Sequence, residues 1–250
     1  MSNEASVTRS PFPIPHIKTW RYWRNLTLFG FCILLIGLMA GVGRLVHASA
    51  INYVHPPRWA RPAGETPARL NTPYQDITLL TADGLELAAW YTPPDNGAVI
   101  LVAHGHASAR SVEMHALFAR HGYGVLSWDF RAHGESEGEL CTLGYHEALD
   151  VEAALDFALA RPGVTYVGVL GESMGGAAAI QAAARRPEIK AIVSDSAFPT
   201  LEEELDIMVR WALLRPPVRF FAEREAGLSL HQLRPVDQIG RISPRPVFII

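Results

Sequence analysis

Cysteine is scarce in this chain, and the two that occur do not combine. Cys32 lies in an apolar run and Cys141 stands far along the chain, so neither a disulfide framework nor a zinc-binding spacing can be built from them. Cys141, between Leu140 and Thr142-Leu143-Gly144, reads as an ordinary small side chain. Clustered charge is missing too. A net charge of −3 with no extended basic block excludes the electrostatic footprint of a nucleic-acid binder. Internal repeats and low-complexity tracts are absent, which removes solenoids and arrays. A hydrophobic fraction of 49% against 19% charged residues excludes a disordered chain. In 250 residues there is room for one globular domain and an appendage.

What is present first is a long apolar run. Residues 26–43 (LTLFGFCILLIGLMAGVG) carry no charge. At about 1.5 Å per residue a helix of this length reaches roughly 27 Å, close to a ~30 Å hydrocarbon core. Arg24 and Arg44 bracket it, and Trp20, Tyr22 and Trp23 stand at its entry, where amphipathic rings favour the headgroup level. Arg9, Lys18, Arg21 and Arg24 precede the span, while Arg44 alone follows closely. The expectation is a single-pass anchor with residues 1–25 cytoplasmic and the rest on the outer side. The alternative is a cleaved signal, since Ala48-Ser49-Ala50 has the small residues of a cleavage site; the protein would then be secreted. Residues 44–73, interrupted by Pro56, Pro57, Pro62, Pro67 and Pro73, read as a linker.

From Tyr74 the pattern changes. Gln75 to Leu80 and Leu85 to Tyr91, separated by Ala82-Asp83-Gly84, predict a hairpin. Ala98 to Ala103 is a continuous apolar strand, as parallel sheets buried on both faces require. Helix and strand then alternate: helices over residues 109–120, 145–160, 174–185 and 201–214 with a further helical piece over 218–226, strands over 124–128, 164–170, 189–193 and 246–250. This order predicts an α/β fold, a mostly parallel sheet with helices on both faces and an antiparallel hairpin at its N-terminal edge.

The strongest chemical signal is Gly171-Glu172-Ser173-Met174-Gly175, followed by Gly176. It has the G-x-S-x-G form, with an apolar strand before it and a helix after it, the setting that makes the motif a nucleophile elbow. The second signal is His104-Gly105-His106-Ala107, directly after a strand. A tetrahedral acyl intermediate needs donors aimed at its oxyanion. The amide after the nucleophile, Met174, and the backbone amide of His106 are the expected pair. The imidazoles of His104 and His106 invite a metal reading, but no third ligand of suitable spacing accompanies them, and acyl chemistry on serine asks for no metal or organic cofactor.

With these residues the chain resembles the α/β-hydrolase superfamily, in its serine aminopeptidase-like and monoacylglycerol-lipase-like branch. The resemblance runs from about Tyr74 to Ile250. It is carried by Asp83-Gly84, His104-Gly105, the elbow, and Asp129-Phe130-Arg131-Ala132-His133-Gly134-Glu135-Ser136-Glu137-Gly138, in which Ala132 replaces a family glycine. Gly144, Glu147, Asp150, Asp195-Ser196-Ala197-Phe198 and Arg234-Pro235-Val236-Asp237 fit further landmarks. The resemblance implies a serine hydrolase acting on an ester, thioester or amide, with Ser173 as nucleophile and a small-molecule, lipid or acylated-protein substrate.

One departure follows. The order of this fold is serine, then acid, then histidine, and the resemblance implies an acid after the strand at 245–250 and a histidine after one further strand. The expectation is therefore a hydrolase domain over 74–250 that is C-terminally incomplete, its acid and base beyond Ile250. An internal triad of Ser173, Asp195 and His231 has the right order but lacks the loop that carries the base. Residues 199–233 are expected to form a short lid over an acyl pocket, or a plain amphipathic helix on the sheet. Two other functions stay open on sequence alone: an acyltransferase of the same fold, and, if the chain truly ends at Ile250, a non-catalytic membrane-anchored binding protein.

Overall fold

The computed structural model describes residues 16–58 and 61–250; Arg9 and most of the expected cytoplasmic segment lie outside the described residues. Two units are distinguished, residues 1–45 and 46–250. In the first, helix α1 (His16–Val54) contains the apolar run, and every side chain from Trp20 to Leu45 is exposed. By length and composition this helix could cross a membrane, and a signal sequence would look the same.

The second unit is a seven-stranded sheet with helices packed around it. Strands β1 (Gln75–Leu80) and β2 (Glu86–Thr92) form the hairpin expected at one edge. Then come β4 (Gly124–Trp128), β3 (Ala98–Ala103), β5 (Tyr166–Glu172), β6 (Ile189–Asp195) and β7 (Val247–Ile249). β2 joins β4 antiparallel, and the remaining pairs are parallel. Helices α2 (Val112–Ala119), α3 (Glu147–Leu159) and α4 (Met174–Arg185) connect the parallel strands. Such crossovers cover the faces of a parallel sheet, which is why β4 is buried at every position and β3 at four of six. The alanines of α4 at 177, 178, 179, 182 and 183 are buried, and their small size lets the helix lie close to the sheet.

Between β6 and β7 the helix expected over 201–214 ends early, at Met208, and the helical piece expected over 218–226 starts three residues sooner, at Arg215. α5 (Leu201–Met208) starts at Thr200, whose side chain accepts from the Glu203 amide at 3.2 Å; Glu202, Glu203 and Glu204 in its first turn suit the positive helix end. The chain turns at Val209 and Trp211, and α6 (Arg215–Ala226) begins with prolines at its first positions and ends at Gly227 with φ 63°, where the left-handed backbone suits glycine. A further helix, α7 (Pro235–Ile242), occupies a stretch the periodicity did not single out.

The expected linker is the clearest difference. The segment from residue 44 begins as the last turns of α1, and Val46, Ala50 and Val54 are buried in the domain core. Pro56-Pro57 does stop the helix, as read. The stretch after it is pinned to the domain: Arg58 donates to Ser136 O and Gly138 O, and the Arg61 guanidinium stacks 4.4 Å from the Trp90 ring beside Asp129.

The loop after β4 is held by buried ion pairs. Asp129 accepts from the Arg110 amide and guanidinium, both at 2.8 Å, and from the Glu135 amide at 3.0 Å. Arg131 donates two bonds to Asp150 and two to Asp83. Ala132, where the family carries glycine, sits at φ 60°. The sterically costly left-handed conformation is imposed by its neighbours, because its amide bonds Glu137 O and the next residue is fixed by Phe130 O.

Asp83 is held down to about 2, first by the Arg131 hydrogen bond and then by Thr81. A carboxyl lowered in the folded state stabilises above its unfolded value near 3.8, and this contribution is lost as pH falls toward 2. Its side chain is 40% exposed, so solvent screening limits the effect to about 1 kcal/mol. Asp83→Asn is expected to lower stability by that amount at pH 7, with the two proteins converging near pH 2; urea titrations at several pH values measure it.

Candidate active site

Ser173 lies between the end of β5 and the first turn of α4, with φ 49° and ψ −114°. A non-glycine residue in this region is strained and persists only where its surroundings impose it. Here the surroundings are three glycines. A Cβ on Gly171 would fall 2.6 Å from Gly176 N; on Gly175, 2.6 Å from His104 O and closer still to Ala103 O; on Gly176, 2.7 Å from Ser194 Oγ. Glycine is therefore required at each for α4 to start this close to β3 and β5. The Ser173 amide donates to Asp195 O at 2.7 Å, and Ser173 O accepts from the Ala177 amide at 3.0 Å. Both backbone groups are thus fixed. Among the described residues, Ser173 Oγ has no hydrogen-bond partner.

The loop after β3 lies against this serine, for a Cβ on Gly105 would stand 3.6 Å from Ser173 Cβ. Met174 opens α4, where amides lack intrahelical acceptors and the helix dipole favours negative charge. The His106 amide likewise donates to no acceptor among the described residues. The histidines around this loop are structural neighbours with defined tautomers. His104 donates from Nδ1 to Gly105 O (2.7 Å) and accepts at Nε2 from the Phe130 amide (3.0 Å); burial, with His133 adding to it, pushes its pKa down to about 3. His133 accepts from the Ala107 amide and donates to Arg131 O. The His106 ring donates from Nε2 to Tyr53 O at 3.0 Å.

The fold gathers a trio of potential ligands that sequence spacing did not show, and His104 is not among them. The donor atoms of His106, His133 and Cys141 lie within 4.8 Å of one another. Both nitrogens of His133 are already hydrogen-bonded within the protein, and burial, with the Glu147 charge adding to it, pushes the Cys141 thiol well above its ordinary range. Protonated, Cys141 Sγ contacts Met174 Sδ at 3.4 Å. As it stands the trio is packed and hydrogen-bonded within the protein.

Asp195 and His231 are not brought together. Asp195 pairs with Glu172 across β5 and β6, and its carboxylate accepts from Ser196 Oγ at 2.8 Å. The two carboxylates border a cavity of about 310 Å³ that also reaches His104, Ser108 and Met114. His231 stands on a short turn, 62% exposed, with Nδ1 2.7 Å from Glu202. The internal triad is thus not formed: Glu202 of α5 holds the ring at the surface, so Ser173, Asp195 and His231 share no hydrogen-bond relay.

A family model described as serine aminopeptidase, S33, matches residues 94–233, which include the β3 loop, the elbow and helices α5 and α6. The chain belongs to the serine aminopeptidase S33 family. It is 33% identical over 148 residues to an uncharacterized protein of Mycobacterium tuberculosis (56% of this chain, 52% of that one). With the monoglyceride lipase of Rattus norvegicus it shares 34% over 135 residues (50% and 45%), and with the thiohydrolase aneE of Aspergillus aculeatus 29% over 189 residues (70% and 58%). The chain spans about half the length of the curated relatives it matches. Among solved structures, the Pyrococcus furiosus esterase Pf2001 superposes with a TM-score of 0.63 at 27% identity, covering 79% of this chain and 76% of that one. The Penicillium α/β-hydrolase GrgF (TM-score 0.54, 18% identity, 71% and 79% covered) shares the fold. The anchor aside, these findings agree with the superfamily and branch that the sequence resembles.

Two contributors in this family member escaped the sequence reading. Tyr53 and Val54, at the end of α1, line an apolar cavity of about 30 Å³ together with Cys141, Leu143, Leu205 and Leu230. The available signal was the i, i+4, i+8 stripe Val46, Ala50, Val54 just before Pro56-Pro57. The Cys141–Leu143 wall is set by Glu147, whose buried carboxylate accepts from the Thr142 and Gly144 amides at 2.9 and 2.7 Å.

Gly175→Ala is expected to destabilise the domain by about 2 kcal/mol or more, since the new methyl meets backbone oxygens that cannot move aside. Thermal unfolding followed by circular dichroism measures it; a melting temperature equal to wild type contradicts the close approach of α4 to β3.

Proposed function

We propose that this family member is a membrane-anchored serine hydrolase that forms an acyl-enzyme on Ser173. The observation that carries the reading is the strained backbone of Ser173 at the head of α4, with its Oγ unbonded beside the β3 loop. Ser173 Oγ attacks the carbonyl carbon of an ester, thioester or amide, and its proton passes to a histidine. The Met174 and His106 amides hold the oxyanion, and the alcohol, thiol or amine departs with the proton from that histidine. Water then attacks the acyl-enzyme and releases the acid.

In this reading the base is none of the histidines nearest the elbow. It is supported by the commitments of the histidines nearest the elbow: His104, His106 and His133 each hold a backbone group, and His231 is held by Glu202. The substrate class, a small or lipid acyl compound, is supported by the names of the esterase and monoglyceride lipase relatives. Anchoring without cleavage is supported by α1 itself. The helix continues through Ala48-Ser49-Ala50, and Ala50 is fully buried in the domain, so cutting there would remove core side chains. The outer side for the domain rests on the arginine and lysine bias of the N-terminal flank.

Ser173→Ala in the intact protein is expected to reduce kcat on a p-nitrophenyl ester by at least about a thousandfold with the fold unchanged. Hydrolysis at the wild-type rate overturns the assignment.

A further inference from the structure

The last four carbonyls of an α-helix have no intrahelical donors and take partners from elsewhere. At the end of α1 two of them are taken by loops of the candidate site. Tyr53 O accepts the Nε2–H of His106 at 3.0 Å, and Val54 O accepts the Cys141 amide at 2.7 Å. These loops lead to the two expected oxyanion donors. His106 carries one amide itself, and Cys141 Sγ rests on the side chain of Met174, which carries the other. The turn is not free to move, because Val46, Ala50 and Val54 are buried in the core. His55 just beyond it reaches Glu139 O at 2.8 Å and Glu225 at 2.9 Å. Elsewhere the loop after β3 is held by His104 and by the Ala107 amide, so the ring of His106 is the grip nearest the donor in question.

We propose that the C-terminal turn of α1 is a positioning element of the active site, with the His106 side chain as its positioning residue. The Tyr53 carbonyl fixes the imidazole, and the fixed imidazole aims the backbone N–H of His106 at the developing oxyanion. This goes beyond the acyl-enzyme reading and rests on it. Its chemical basis is that an oxyanion donor acts through preorganised geometry, so a donor displaced by a fraction of an ångström loses much of its effect on the transition state and little on substrate binding.

The test compares His106→Leu and His106→Gln in the intact protein in detergent, on p-nitrophenyl butyrate, with melting temperatures and inhibition by a trifluoromethyl ketone read alongside. Both variants keep the backbone amide, and glutamine keeps a side-chain N–H of similar reach. For His106→Leu, kcat is expected to fall about tenfold to a hundredfold, less than the loss of a whole donor, with KM within about threefold. The ketone, which binds as an oxyanion, should weaken in parallel, and His106→Gln should recover kcat to within about fivefold of wild type. If His106→Leu does not accumulate as folded protein, His106→Gln decides: near-wild-type kcat supports the proposal and a hundredfold loss overturns it. A leucine variant with wild-type kcat and a lowered melting temperature overturns it as well, since the contact then only stabilises the fold. Turnover that depends on Ser173 but ignores His106→Leu overturns this proposal alone. A folded intact protein with no turnover overturns the acyl-enzyme reading and this one with it.

Discussion

Helix α4 begins so close to the ends of β3 and β5 that no side chain fits at Gly171, Gly175 or Gly176, and the rest of the site is arranged around that approach. Contact at this range forces Ser173 to φ 49°, bonds its amide to the end of β6, and leaves its hydroxyl at the head of a helix whose first amide has no acceptor of its own. The same approach sets Gly105 against the serine. A strained serine and two amides without acceptors among the described residues therefore come from a single packing constraint, and the alanines of α4 make that constraint possible.

The second layer is electrostatic. Asp129 and Arg131 tie the loop after β4 to Arg110, Asp150 and Asp83, and nearly all of these partners are buried. Each charge has a bonded counterpart, which is the condition for holding ions away from water. This network places His133 next to the β3 loop and lets Ala132 keep a backbone conformation that suits glycine. The loop that carries His106 is thus supported from below by His104 and His133 and from the side by the end of α1.

Much of this was legible in the residues. The apolar run of β3 announced a buried parallel strand, the Gly-Glu-Ser-Met-Gly stretch announced the elbow, and the order of elements announced the sheet. Their signals are local: periodicity, turn residues and glycines that pack against near neighbours. The end of α1 was misread because five prolines dominate residues 56–73, while its own three-residue stripe is short and follows directly on an apolar run that masks any period. The contact of Cys141 with Met174, and its approach to His133, join loops far apart in sequence, and no spacing rule encodes such a meeting. His231 had the right order for a triad, and only the structure shows its ring held by Glu202.

The central claim is that Ser173 is the nucleophile. It is tested most directly by treating the intact, folded protein with a fluorophosphonate and locating the adduct by peptide mass spectrometry. The account predicts a single modification, on the peptide carrying Gly171-Glu172-Ser173-Met174-Gly175 and at the serine within it. An adduct on another residue, or none on a protein shown to be folded, contradicts it.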